Sequence, residues 1–227
     1  AAVAANPALP NLLDGLHFHT LCEQDADALA VTLDAVAEKF GDILPKMRWV
    51  NFGGGHHITR PGYDLETLAQ CIARAQNAWG VTVYLEPGEA CALNAGYLLT
   101  RVLDVVQNGG TTVAILDASA ACHMPDVIEM PYRPPLLFAG DAGQKPCTVR
   151  LAGPTCLAGD VIGDYGLDAV PRAGDLLVFG DMAIYTTCKN NTFNGMPLPA
   201  ICVRDEAGNV RELVRFGYRD FKARLGR

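Results

Sequence analysis

The chain has 227 residues, half of them hydrophobic and 19% charged, with a formal net charge of −7. Such a composition supports a folded core and excludes a disordered chain, and the acidic balance with scattered Lys and Arg argues against a nucleic-acid surface. An acidic protein suits a cationic ligand. No run approaches the roughly 20 apolar residues that cross a bilayer, and residues 1–10 lack the basic and apolar pattern of a signal peptide, so a cytoplasmic protein without membrane contact is expected.

In chain order, short apolar runs first alternate with amphipathic stretches. Leu16 to Thr20, Arg48 to Phe52 and Val81 to Leu85 read as strands, and about Asp25 to Phe40 and Asp64 to Trp79 read as helices. Asp64 precedes the stripe Leu65, Leu68, Ile72, Trp79, Gly80 follows it, and Gly41 is expected to close the earlier helix. This βαβαβ order favours a parallel sheet, with the chemistry at the C-terminal strand ends. From about Tyr97 the texture changes to Gly-, Pro- and Asp-broken strands: Leu98 to Val106, Thr111 to Leu116, Thr148 to Leu151, Asp175 to Phe179, Ile201 to Arg204 and Val210 to Gly217. These predict an antiparallel β domain. The stretch from Met124 to Pro146 is too long for a simple hairpin loop and is expected to cover something. Two domains follow, 1–96 and 97–227. Three βα units cannot close a barrel that needs eight strands and typically about 250 residues, so the sheet is open or an N-terminal portion is absent; the latter is favoured.

The eight cysteines (Cys22, Cys71, Cys91, Cys122, Cys147, Cys156, Cys188, Cys202) contain no Cys-x-x-Cys pair and read as free thiols. The histidines (His17, His19, His56, His57, His123) lack metal-ligand spacing; neighbours His56 and His57, if on a strand, point to opposite faces, and no metal is expected.

Several segments carry candidate chemistry. Asn51-Phe52-Gly53-Gly54-Gly55-His56-His57 offers consecutive backbone N–H groups after a strand, either a phosphate cradle or a flexible turn. In Tyr84-Leu85-Glu86-Pro87-Gly88-Glu89-Ala90, Glu86 ends a strand where a carboxylate can hold a pyridine nitrogen protonated, or is simply a turn acid. His19 in Gly15-Leu16-His17-Phe18-His19-Thr20 can stack on an aromatic cofactor or belong to a core. Cys156, in Ala152-Gly153-Pro154-Thr155-Cys156-Leu157-Ala158-Gly159-Asp160, sits near a carboxylate in a turn, as a proton donor does. Tyr185 and the amides of Asn190, Asn191 and Asn194 can bind phosphate or cap turns.

Together these segments resemble the alanine-racemase-like, fold type III pyridoxal-phosphate-dependent decarboxylases. His17 to Glu23, Asn51 to His57, Glu86 to Ala90, His123 to Pro134 and Gly153 to Asp160 resemble the carboxynorspermidine (carboxyspermidine) decarboxylase branch. The resemblance implies the C-terminal part of a TIM-like (β/α)8 barrel followed by an antiparallel β-sandwich or β-barrel domain. It also implies pyridoxal 5'-phosphate as cofactor, a homodimer with shared active sites, and a small cationic carboxylated polyamine as substrate. Residue by residue, His19 would stack on the pyridine ring, Gly53, Gly54 and Gly55 would hold the phosphate, Glu86 would pair with the pyridine nitrogen and Tyr185 would contact phosphate. Cys156 would act as proton donor in the partner's site, with Asp160 beside it at the substrate. Asp126 and Glu129 are candidate acids for selecting substrate amines by charge.

Two points stand apart from the family pattern. None of the five lysines (Lys39, Lys46, Lys145, Lys189, Lys222) has the setting of the cofactor-bearing lysine, which the resemblance therefore places in an absent N-terminal segment. Glu89 stands where ornithine and diaminopimelate relatives carry an arginine that helps hold phosphate; within the carboxynorspermidine branch Glu fits. The alternatives are another decarboxylase of this type, for diaminopimelate, ornithine or arginine, or a non-catalytic decoy homologue lacking the lysine.

Overall fold

The computed structural model describes residues 2–226, and its chain divides into two compact units, 1–93 and 94–227. In the first, a one-turn helix α1 (Ala2–Ala5) precedes a parallel sheet of three short strands, β1 (Gly15–His17), β2 (Trp49–Asn51) and β3 (Thr82–Tyr84), in the order β1-β2-β3. Helices α2 (Ala26–Phe40) and α3 (Leu65–Trp79) form the crossovers. Each strand is shorter than its apolar run because only three residues per strand stand in register: His17 opposite Asn51, and Asn51 opposite Tyr84. The backbone stays extended past these ends, where Phe18 N–H donates to Asn51 O, Phe52 N–H to Tyr84 O and Glu86 N–H to Gly53 O.

The helices form because their apolar positions recur at helical spacing: Ala26, Leu29 and Leu33 on α2, and Leu68, Cys71, Ala75 and Trp79 on α3, are all buried with Val50, Phe52 and Val81 in one core. Asp64 caps α3 by accepting from Thr67 N–H at 2.9 Å, and Gly80 ends it in the left-handed region at φ +69°, which a glycine reaches without Cβ strain. Gly41 differs from expectation. Its backbone is right-handed helical, so the chain after α2 runs on through a turn into a 3-10 segment at Leu44–Lys46. At the sheet edge Gly15 lies opposite Trp49, whose indole occupies the space a side chain would need.

The second unit holds a six-stranded sheet. Its strands are β4 (Leu98–Asn108), β5 (Thr111–Leu116), β6 (Gly140–Asp141), β7 (Cys147–Ala152), β8 (Val161–Leu167) and β9 (Leu176–Phe179), in the order β6-β8-β7-β5-β4-β9. The expected antiparallel domain is thus corrected to a mixed sheet, since β5 and β7 pair in parallel. Two adjacent strands with the same direction need a long connection, and residues 117–146 supply it. Within that stretch lie short helices α4 (Ala120–His123) and α5 (Asp126–Glu129) as well as β6, so the long loop is largely structured. Strand β8 was not expected, because its Gly163 and Gly166 interrupt the apolar pattern. It pairs with β7, and a bidentate Arg150–Asp164 pair (2.8 and 2.9 Å) bridges residues directly opposite in register, drawing the Asp164 carboxyl below its ordinary range.

The core of this unit gathers Val102, Leu116, Val149, Leu151, Tyr165 and Phe179, with the Tyr165 hydroxyl donating to Pro134 O at 2.8 Å. A further helix α6 (Thr186–Lys189), the hairpin β10 (Ile201–Arg204) and β11 (Val210–Val214), and a closing helix α7 (Tyr218–Arg224) complete the chain. Among the described residues no helix is long and apolar enough to cross a membrane.

Leu33 is fully buried between α2 and the sheet core. Leu33→Ala is expected to lower stability by about 2–5 kcal/mol, read as a lower urea midpoint in an unfolding titration.

Candidate active site

Parallel pairing sets the C-terminal ends of β1, β2 and β3 side by side, and the expected cofactor residues of the first unit all lie there. Glu86 follows β3 and is half exposed. Its Oε1 accepts from Asn51 Nδ2 at 2.8 Å, and its Oε2 lies 3.4 Å from His17 Nε2. Asn51 thus orients the carboxylate, a role the sequence reading did not assign. The available signal is an amide at the last position of one parallel strand beside an acid that ends the next.

The glycine turn is built against the end of β1. Gly54 N–H points at His19 Nδ1 over a long 3.4 Å, while a Cβ on Gly54 would stand 2.9 Å from Glu86 O and 3.0 Å from His19 Cε1. Gly53 and Gly55 take φ +76° and +82°, and a Cβ on either would run into the backbone of residues 18–22. Only glycine fits this turn. Gly53 N–H donates to Asn51 Oδ1 at 2.9 Å, so with the long Gly54 bond two of the three donors already have protein partners, and Gly53 shapes the turn. His19 is exposed, whereas His56 is buried behind it with Nε2 at 3.4 Å from Phe52 O, and burial depresses its pKa.

His56 and His57 lie on the turn after β2, not on a strand, and go to different partners. His57 Nε2 meets Glu89 Oε2 at 3.1 Å in a largely buried pair, and the side chain of Glu23 comes close enough that the ligand atoms of the three lie within 4.8 Å of one another. Glu89 therefore has a positive-capable partner of its own.

In the second unit, Cys156 is an exposed free thiol at the tip of the turn between β7 and β8. Asp160, expected at the substrate, is instead 3% exposed with its carboxylate committed to the protein. Both oxygens accept from Ser119 Oγ at 2.9 Å, and Oδ2 accepts from Thr155 Oγ1 at 2.6 Å. The carboxylate thus anchors the turn before β8 to the segment before α4. Ser119 N–H in turn donates to His123 Nδ1 (3.1 Å), and His123 Nε2 donates to Pro197 O (3.0 Å), which fixes one neutral tautomer. Asn191 Nδ2 donates to Ala121 O at 2.7 Å, so this amide braces α4.

Asp126 and Glu129 project from α5 as neighbours, but Lys189 of α6 occupies the space between them, bonded to Asp126 and 3.1 Å from Glu129. The expected free acids are ion-paired, and the paired acids raise the lysine's pKa. Tyr185 precedes α6 at φ +34° with its ring exposed beneath Lys189, whose Nζ is 5.4 Å from the ring centroid.

A strand-end acid, a glycine turn and an exposed imidazole thus stand together at the C-terminal edge of the parallel sheet in the first unit, and a mixed sheet forms the second. The family described as "Pyridoxal-dependent decarboxylase, C-terminal sheet domain" matches residues 13–183, and the chain belongs to that family. It is 44% identical over 225 residues to a carboxynorspermidine/carboxyspermidine decarboxylase of Campylobacter jejuni, covering 94% of this chain and 59% of the relative. It is 41% identical to a carboxyaminopropylagmatine decarboxylase of Synechocystis, covering all of this chain and 58% of that one. Among solved structures, carboxynorspermidine decarboxylase complexed with norspermidine from C. jejuni superposes with a TM-score of 0.83 at 44% identity, over 94% of this chain and 61% of the other. The chain thus spans less than two thirds of the length of these relatives.

Burial holds the His123 pKa below its ordinary 6.5. The unfolded chain then takes up the proton first, so stability is full above about pH 6.5 and is lost as pH falls below it. Denaturant midpoints at pH 7.5 and pH 5 are expected to differ less in His123→Asn, itself weaker at pH 7.5, than in the unaltered protein.

Proposed function

We propose that this chain is part of a pyridoxal-phosphate-dependent decarboxylase that releases carbon dioxide from carboxynorspermidine or carboxyspermidine. The observation that carries the reading is the Gly54 turn, closed to any side chain by His19 and the Glu86 backbone, with a long and weakly used N–H inside it and an oriented Glu86 carboxylate at its mouth. The residues of the first unit fit the cofactor: Gly54 and Gly55 as backbone donors to the phosphate, His19 against the ring and Glu86 on the ring nitrogen. When bound, pyridoxal phosphate supplies the electron-withdrawing ring that takes up the electrons left by the departing carboxylate.

The protein's own part is binding and proton management. Asn51 aims Glu86, whose negative charge holds the ring nitrogen protonated. Cys156, exposed on its turn, delivers a proton to the substrate carbon after carbon dioxide leaves, acting in the site of a second copy within a homodimer. Asp126 and Glu129 select cationic substrates by competition, since a substrate ammonium must displace or join Lys189 between them. The parallel unit is then the closing portion of a (β/α)8 barrel in a cytoplasmic enzyme, and the cofactor-bearing lysine lies in the portion that the longer relatives possess.

Support for this substrate comes from the names of the relatives at 44% and 35% identity, both carboxynorspermidine/carboxyspermidine decarboxylases. Turnover of the cofactor-loaded enzyme on carboxynorspermidine, carboxyspermidine, carboxyaminopropylagmatine, diaminopimelate, ornithine and arginine tests it. The first two are expected to be preferred; preference for any other overturns the substrate assignment, and no turnover with no retained cofactor points to a decoy. Cys156→Ala is expected to lower kcat by about 10²-fold or more, and Glu86→Gln to lower both cofactor retention and kcat.

A further inference from the structure

We propose that the buried Asp160 carboxylate is a positioning residue for Cys156, holding the thiol in place by fixing the peptide groups on both sides of it. The inference rests on Cys156 being the proton donor. The carboxylate accepts from Thr155 N–H at 3.3 Å and from the Thr155 hydroxyl at 2.6 Å, and the same hydroxyl accepts from Leu157 N–H at 3.4 Å. Thr155 and Leu157 are the immediate neighbours of Cys156, so the exposed thiol is bracketed by two tethered amides. The turn closes on itself as well, with Gly153 N–H donating to Asp160 O and Asp160 N–H to Leu157 O. Gly153 lies so near the carboxylate that a Cβ there would collide with it.

The other side of Asp160 holds the turn to the start of α4. Ser119 Oγ donates to both carboxylate oxygens, Ala121 N–H donates to Oδ1 at 3.3 Å, and Cys122 N–H donates to Ser119 Oγ at 3.2 Å. Through Ser119 N–H and His123 the network ends on Pro197 O. A buried anion is costly unless its lone pairs are filled, and here four donors on two segments, the Ser119 and Thr155 hydroxyls and the Ala121 and Thr155 N–H groups, serve them. Such an arrangement spends a charge on fixing geometry at a single loop, and the loop carries the one thiol assigned to chemistry. A proton donor must reach its carbon in one orientation, and displacement by an ångström costs rate without changing binding.

Asp160→Asn removes the anion from a buried network and can unfold the unit, so Thr155→Val, which deletes only the bracketing hydroxyl, is the primary variant and Thr155→Ser its rescue. In the cofactor-loaded enzyme, Thr155→Val is expected to speed amide hydrogen exchange within residues 153–160 and to lower kcat on the order of ten-fold or more with KM within about two-fold, while Thr155→Ser stays near the unaltered enzyme in both. Because Thr155 acts through Cys156, adding Thr155→Val to Cys156→Ala is expected to cause no further loss of kcat. If Cys156→Ala is damaging but Thr155→Val changes neither exchange nor kcat, or if the two losses add in full, the positioning role is overturned. If Cys156→Ala is innocuous, the proton-donor reading fails, and the positioning role falls with it whatever the turn does.

Discussion

Everything at the candidate cofactor face depends on three strands running parallel in a single register. Parallel neighbours deliver their C-terminal ends to the same edge, and residues at equivalent places become neighbours in space however far apart in sequence. His17, Asn51 and Glu86 meet for this reason, across 69 residues of chain, and the hydrogen bond from Asn51 to Glu86 is possible only because β2 is the middle strand. A slip of one residue would turn His17 and Asn51 to the opposite face and dissolve the cluster. The buried stripes of α2 and α3 prevent that slip, since they pack with Val50 and Phe52, and a strand shifted by one would face those helices with its polar residues.

The two units arrive at order by different physical routes. In the first, the turn is shaped by backbone: it is narrow because Phe18, His19, Leu21 and the Glu86 carbonyl stand where side chains would be. Glu89, beside this turn, has its Oε2 paired with His57 Nε2 at 3.1 Å. In the second, order comes from a buried carboxylate. Asp160 contributes no apolar area, yet it joins a hairpin turn to a helix start with bonds that a hydrophobic side chain could not direct.

What was legible in the sequence follows the same division. Helices α2 and α3 were readable almost to the residue because caps and apolar spacing are local: Asp64 and Gly80 mark α3 at both ends. The glycine turn, His19 and Glu86 were legible because each sits directly after a periodic apolar run. Strand direction was not, since β5 and β7 carry the same apolar writing whether parallel or antiparallel, and only the structured connection between them decides it. β8 was hidden by its glycines. The partners of Asp160, Asp126 and Glu129 were hidden for a different reason: Ser119 is 41 residues from Asp160 and Lys189 is 63 from Asp126, and no local pattern encodes such pairings.

For the proposed selection of substrate amines by Asp126 and Glu129, the Lys189 pairing sets the terms. Asp126 and Glu129 alone would carry a charge of −2, whereas with the Lys189 ammonium between them the cluster presents −1 to the outside. A monovalent amine gains little by approaching, since it must exchange with a tethered ammonium whose local concentration is high. On that proposal a chain with more than one ammonium would gain more, because it could replace the lysine at one end while its other charge is held elsewhere, and the pair of acids would discriminate by the number of charges and their separation. That discrimination is what a long polyamine offers and a short amino acid lacks, and it arises from an intramolecular salt bridge that a reading of Asp126 and Glu129 as bare acids does not contain.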